Sequence, residues 1–141
     1  PSGCLQSFND SYNSLLNKLC TGNDKFETYI AGDFNMNILN YETHNDTNTF
    51  LNTAFEHRLY PIIIRPTRFS NKNTTLIDNI FTNNPGNNYY AGLLLTDLSD
   101  HLPIFMSLIT IFMKRKNLLY IEIPVIFLTA VFRNLPQYCK L

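Results

Sequence analysis

The sequence predicts an α/β or α+β domain. Three observations carry that expectation. Apolar residues recur first at helical spacing, then in short β-prone runs, and the two patterns alternate before giving way to consecutive strands. Turn-forming Gly, Pro and Asn separate the runs. Hydrophobic residues make up 45% and aromatic residues 13% of 141 positions, which is enough for one core and too little for several domains.

Taken in order, Ser7-Phe-Asn-Asp10 has the form of a capping box, and Phe8, Tyr12, Leu15, Leu16 and Leu19 follow at helical spacing with Gly22 placed to end the helix. Phe26 to Ala31 is β-prone and is expected to stop at Gly32. Residues 36–46 read as a polar loop anchored by Ile38 and Leu39. Asp46 or Thr47 can cap a second helix bearing Phe50, Leu51, Ala54, Phe55 and Leu59. Pro61 and Ile62 to Ile64 read as a buried strand closed by Arg65-Pro66, and Thr75 to Phe81 as another, followed by an Asn/Pro/Gly loop at 83–88. Tyr89 to Leu95 and Leu102 to Ile109 complete the set. Lys114-Arg-Lys116 marks a composition break, after which the chain is apolar without a clear period. The expected division is therefore residues 1–112 as domain and 113–141 as a basic, then apolar, tail.

The formal net charge is zero, but residues 1–60 sum to −4 and residues 101–141 to +4. That balance excludes an acidic solvating tail and a uniformly basic nucleic-acid coat. Cys4, Cys20 and Cys139 are an odd number with no close pair, so a reducing compartment and no Cys/His metal site are expected. Pro1 to Asp10 has neither the basic start nor the apolar run of a secretory signal. Leu118 to Phe132 contains Glu122 and Pro124 and falls short of the ~20 apolar residues a membrane helix needs. An intracellular protein, nuclear or cytoplasmic and without a membrane span, is the expectation.

Three polar insertions interrupt the apolar framework. In Gly32-Asp33-Phe34-Asn35, extended geometry would aim Asp33 and Asn35 to one face and turn Phe34 inward. A carboxylate and a carboxamide so placed can hold a water beside a charged oxygen; an ordinary turn is the plainer alternative. Asp78 lies among apolar neighbours in Thr75-Leu-Ile-Asp-Asn-Ile-Phe81 and needs a partner if buried, with Arg65, Arg68 and His101 as candidates. Ser99-Asp100-His101 precedes the last strand, and an acid next to an imidazole suits a metal ligand beside a proton-handling or oxyanion-binding group. Both reach one site only if the junction is bent. His44 and His57 receive no role.

Ala31-Gly-Asp-Phe-Asn35, Arg65-Pro-Thr-Arg68, Thr75-Leu-Ile-Asp-Asn-Ile-Phe-Thr-Asn83 and Ser99-Asp-His-Leu-Pro-Ile-Phe105 follow one another in an order that resembles the endonuclease/exonuclease/phosphatase superfamily. The similarity is to the C-terminal half of the apurinic-type endonuclease domain of non-LTR (LINE-like) retrotransposons, over roughly residues 5–112. The resemblance implies the C-terminal half of a four-layer α/β sandwich, with the N-terminal half missing from these residues. It implies Asp33 as the acid that orients or deprotonates the attacking water, with Asn35 as its companion on the scissile phosphate. It implies Asp100 as the acid that helps hold Mg²⁺ or Mn²⁺, His101 as the group on the phosphate oxygen, and Asp78 as the acid orienting His101. Thr67 is a weaker candidate for phosphate contact. The implied partners are DNA and a reverse transcriptase domain of the parent chain. The implied reaction is target-DNA nicking, with little or no activity expected of 1–141 alone. A superfamily phosphatase or phosphodiesterase, and a non-enzymatic remnant or interaction module, are the alternatives.

Overall fold

A computed structural model describes residues 2–20, 27–70, 73–86, 89–108, 110–114, 118–122 and 125–128. Among these residues lie helices α1 (Ser2–Leu19) and α2 (Asn45–Glu56) and ten strands. The strands are β1 (Tyr29–Asp33), β2 (Tyr60–Pro61), β3 (Arg68–Phe69), β4 (Thr74–Thr75) and β5 (Asp78–Thr82). They continue as β6 (Tyr89–Leu93), β7 (Ile104–Leu108), β8 (Thr110–Lys114), β9 (Leu118–Glu122) and β10 (Val125–Leu128).

The architecture is mixed α+β, built in three layers. Strand β5 is the centre of an antiparallel sheet with order β1-β5-β2, and all five of its residues are buried. Side chains alternate across it. Phe81 and Ile30 face the helices, where Tyr12, Phe34 and Phe50 join them in one core. Phe50 sits at the middle of that core, with ring centroids 5.2 Å from Phe34, 5.5 Å from Phe81 and 4.8 Å from Tyr12. Ile80 and Ala31 face the other way, onto Ile104 and Met106 of β7 and onto β6. That second core joins the central sheet to a second antiparallel sheet of order β10-β7-β6.

The element boundaries shift from expectation for local reasons. Helix α1 begins five residues earlier than the Ser7 box, so Ser7 and Asp10 lie inside it, and Gln6 Nε2 donates to Asp10 Oδ1 one turn on. Gly22 and Phe26 lie outside the described residues. Strand β1 runs through Gly32 to Asp33, because its ladder with β5 continues from Tyr29↔Thr82 to Asp33↔Asp78. The cap of α2 is His44 rather than Asp46 or Thr47: its imidazole Nδ1 accepts the Thr47 N–H. Within 36–46 a 3₁₀ turn forms at Ile38–Asn40, and Met36 rather than exposed Leu39 is the buried anchor.

The expected strand at Ile62–Ile64 is β2 at Tyr60–Pro61 instead. Beyond it, Asn79 replaces strand pairing: its carboxamide accepts the Ile63 N–H at 3.1 Å and donates to the Ile63 carbonyl at 2.8 Å. Ile64 is left 81% exposed. The run 75–81 is two strands, β4 and β5, with the chain changing sheets at Leu76-Ile77. Strand β6 ends at Leu93 and β7 starts at Ile104, after Pro103. The boundary expected at residue 112 falls within β8, which pairs with β9, and β10 pairs with β7 from Val125↔Ser107 to Leu128↔Ile104. No described helix is long and apolar enough to cross a membrane.

Candidate active site

The site forms where the ends of the central sheet and the 99–103 segment meet. Asp78 opens β5 and stands directly opposite Asp33, the last residue of β1. Cross-strand partners project to the same face, so two carboxylates share one patch. Asp78 is 3% exposed and takes the imidazole of His101 as its partner: Nδ1 lies 3.0 Å from Oδ2 and 3.3 Å from Oδ1. An ionised carboxylate only accepts, so this contact places a proton on Nδ1 and leaves Nε2 as the working nitrogen. Of the three partners considered for Asp78, His101 is the one the fold supplies.

Thr67 sets the position of both groups. Its side chain is fully buried, and Oγ1 accepts the N–H of Asp78 at 3.1 Å and of Ile77 at 3.3 Å. Its own N–H donates to the Thr75 carbonyl, and its carbonyl accepts the Leu102 N–H at 2.7 Å. One residue therefore ties the backbone of Asp78 to the backbone next to His101. This commits the hydroxyl expected to face phosphate to the interior instead.

Asp33 is half-buried, and its Oδ1 accepts the Asn35 N–H at 3.0 Å. Burial raises its carboxyl above the usual value; the Asn35 N–H opposes that and the Asp78 charge adds to it. The extended geometry expected of this motif ends here. Asn35 has φ 53°, in the left-handed region that Asn tolerates, so its side chain does not follow the β alternation and is exposed. Phe34 turns into the core as expected. The loop is stitched back by Phe34 N–H to the Ile77 carbonyl, Ile38 N–H to the Leu76 carbonyl, and the Leu76 N–H to Asn37 Oδ1.

The junction at 99–101 is bent, and Asp100 and His101 part. Arg68 Nε donates to Asp100 Oδ2 at 2.8 Å, and this hydrogen bond holds the Asp100 carboxyl below the usual range. Asp100 also borders an open groove of about 560 Å³ with Phe69, Leu95, Thr96, Asp97, Ser99 and Leu102.

Ligand atoms of Asp33, Asp78 and His101 all lie within 4.8 Å of one another. Asp78 and His101 hold each other, which leaves the Asp33 carboxylate in that group, and the exposed Asp100 carboxylate outside it, to offer oxygen to an ion. Hard oxygen donors at a wet edge fit a hydrated divalent cation, which takes one or two carboxylates and keeps several waters. The fold thus gathers Asp33, Asp78 and His101, holds Asp100 on Arg68 outside that group, and turns Asn35 to solvent. The sequence reading missed the clamping carboxamides of Asn37 and Asn79. A polar residue inside the apolar run 76–81 was the available signal for Asn79.

A comparison with protein families matches residues 5–105 to the family described as endonuclease-reverse transcriptase. No curated protein and no solved structure matches the chain. The match spans more than half of the chain and includes every site residue above, and the chain belongs to the endonuclease-reverse transcriptase family.

Proposed function

We propose that this chain carries the proton-handling part of a metal-dependent DNA endonuclease that nicks target DNA for retrotransposition inside the cell. The buried Asp78–His101 pair with Asp33 opposite is the observation that carries the reading. Asp33 accepts the proton of the attacking water, and burial raises its carboxyl above the usual value. Asn35 stands beside it and hydrogen-bonds the scissile phosphate. His101, kept in one tautomer by Asp78, meets the phosphate oxygen through Nε2 as charge develops. Mg²⁺ or Mn²⁺ would be held by Asp100, with Asp33 as the second carboxylate, and would supply Lewis-acid stabilisation of the phosphoryl oxygens. DNA is the substrate, and a reverse transcriptase domain accompanies the site in the parent protein.

With the Asp100 carboxylate held by Arg68, residues 1–141 alone should be a slow catalyst. Supercoiled-plasmid nicking with Mg²⁺, beside His101→Ala and an EDTA control, tests the reading. Weak nicking lost in both controls is expected. Nicking that survives both, or preferential cleavage of a soluble phosphomonoester, would sink it. If nicking is undetectable in a folded sample, Mn²⁺ binding decides: Asp33→Asn and Asp100→Asn should each weaken it.

A further inference from the structure

The Arg68–Asp100 ion pair is not used by any of these roles, yet the fold fixes it closely. The Phe69 N–H donates to the Asp100 carbonyl, and Arg68 faces His101 across a single antiparallel bridge. The backbone therefore sets Arg68 beside the imidazole, and the guanidinium reaches Asp100 from there. Its charge acts on both sides of the site: it lowers the Asp100 carboxyl and slightly offsets the rise that burial gives the Asp33 carboxyl.

A guanidinium has five N–H donors in a planar fork, and a carboxylate partner is commonly held by two of them. Here the contact on Asp100 is through Nε, and 44% of the Arg68 side chain is exposed. The site meanwhile sets the carboxylates of Asp33 and Asp78 opposite each other, and Asp100 adjoins their partner His101 in the chain. A phosphodiester is repelled from such a patch unless a cation neutralises Asp100 and a donor meets the phosphate.

We propose that Arg68 has two partners: Asp100 in the free protein, and a phosphate oxygen of the nucleic acid once a divalent cation takes Asp100. This rests on the metal-dependent reading of the site. Arg68 and the metal then compete for one carboxylate, so removing Arg68 tightens metal binding and weakens DNA binding. An arginine that only held the fold together would weaken both.

The test uses 1–141 with Arg68→Ala, Arg68→Gln and Asp100→Asn, each checked by near-ultraviolet circular dichroism. Free Mn²⁺ is followed by electron paramagnetic resonance, and a short duplex by fluorescence anisotropy in Mn²⁺. Both Arg68 variants should bind Mn²⁺ about three-fold tighter and the duplex about ten-fold more weakly, with a salt slope shallower by about one. Arg68→Gln keeps most of the side chain's length and decides the matter if Arg68→Ala does not fold. Mn²⁺ affinity unchanged or weakened in the Arg68 variants, while Asp100→Asn loses it, overturns the Arg68 proposal and leaves the metal site standing. Mn²⁺ affinity unaffected by Asp100→Asn, or no Mn²⁺ binding, overturns both. Duplex affinity unchanged in the Arg68 variants also overturns the Arg68 proposal.

Discussion

Replacing Thr67 by Val keeps the shape of a fully buried side chain and removes its hydroxyl. The hydroxyl accepts two backbone N–H groups, one firmly from Asp78 at 3.1 Å and one at the longer 3.3 Å from Ile77. A buried donor left without a partner costs about 1–3 kcal/mol. Giving the longer contact the lower end of that range, Thr67→Val should cost about 2–4 kcal/mol. Thr67→Ser keeps the hydroxyl and loses one methyl, for roughly 1 kcal/mol. Urea unfolding resolves the difference: with a slope of about 2 kcal/mol per molar, the Val midpoint should fall by about 1 M or more and the Ser midpoint by half that or less. The same variants can be read at His101, whose Nδ1–H resonance should broaden or shift in Thr67→Val because Asp78 is no longer held from behind. A Val variant as stable as the Ser variant, with that resonance unchanged, would refute the positioning argument and return Thr67 to the phosphate contact that the resemblance implies.

Two further outcomes follow from the same geometry. The raised Asp33 carboxyl binds more protons folded than unfolded between its ordinary value of 3.8 and its higher folded value, so stability falls as pH rises through that window. Asp33→Asn should therefore be the more stable protein at pH 7, with the advantage gone below 3.8; urea midpoints at both ends check it, and a parent more stable at pH 7 contradicts it. In the second sheet Gly92 stands opposite Phe105, and a methyl there would lie 3.1 Å and 3.2 Å from the ring. Gly92→Ala should destabilise by about 0.5–1 kcal/mol, the ring giving way partly because Phe105 is only half-buried, and Phe105→Leu should remove the penalty. A stabilised Gly92→Ala would show the ring to be loose.

The sequence carried the layers and the site residues further than it carried the element ends. Helical and strand periods in 8–19, 50–59 and 89–108 survive because each has one buried face, and burial is what the period records. Ends fail where a side chain substitutes for backbone pairing. Asn79 completes the sheet where Ile62 to Ile64 looked like a strand, and Asn37 takes the Leu76 N–H in a loop that looked merely polar. His44 caps α2 although Asp46 and Thr47 are the commoner cap types, because its Nδ1 can accept from the backbone as a carboxylate does. At the site, Asp33, Asp78 and His101 could be grouped by order alone. The partner of Asp100 could not, since Arg68 and Asp100 lie 32 positions apart and meet only when the chain folds back on itself.

The placement of Asp33 opposite Asp78 is hard to explain as architecture. Like charges directly opposite on neighbouring strands destabilise a sheet, and a pair of Thr or Val would fit the same positions without that cost. The chain manages the repulsion piecemeal. Asp78 has His101, Asp33 has one N–H from Asn35, and Asp100 has the Arg68 guanidinium. Each partner answers one carboxylate, and the Asp33 carboxyl stays raised, first by burial and then by the Asp78 charge. What the patch lacks is positive charge at its open edge. On the proposed function a divalent cation would supply that charge, and the phosphate that follows it would find His101 and Arg68 already paired across one bridge. The destabilising pair thus has a physical reason in a site that is completed by its ligands, as functional sites that trade stability for activity are.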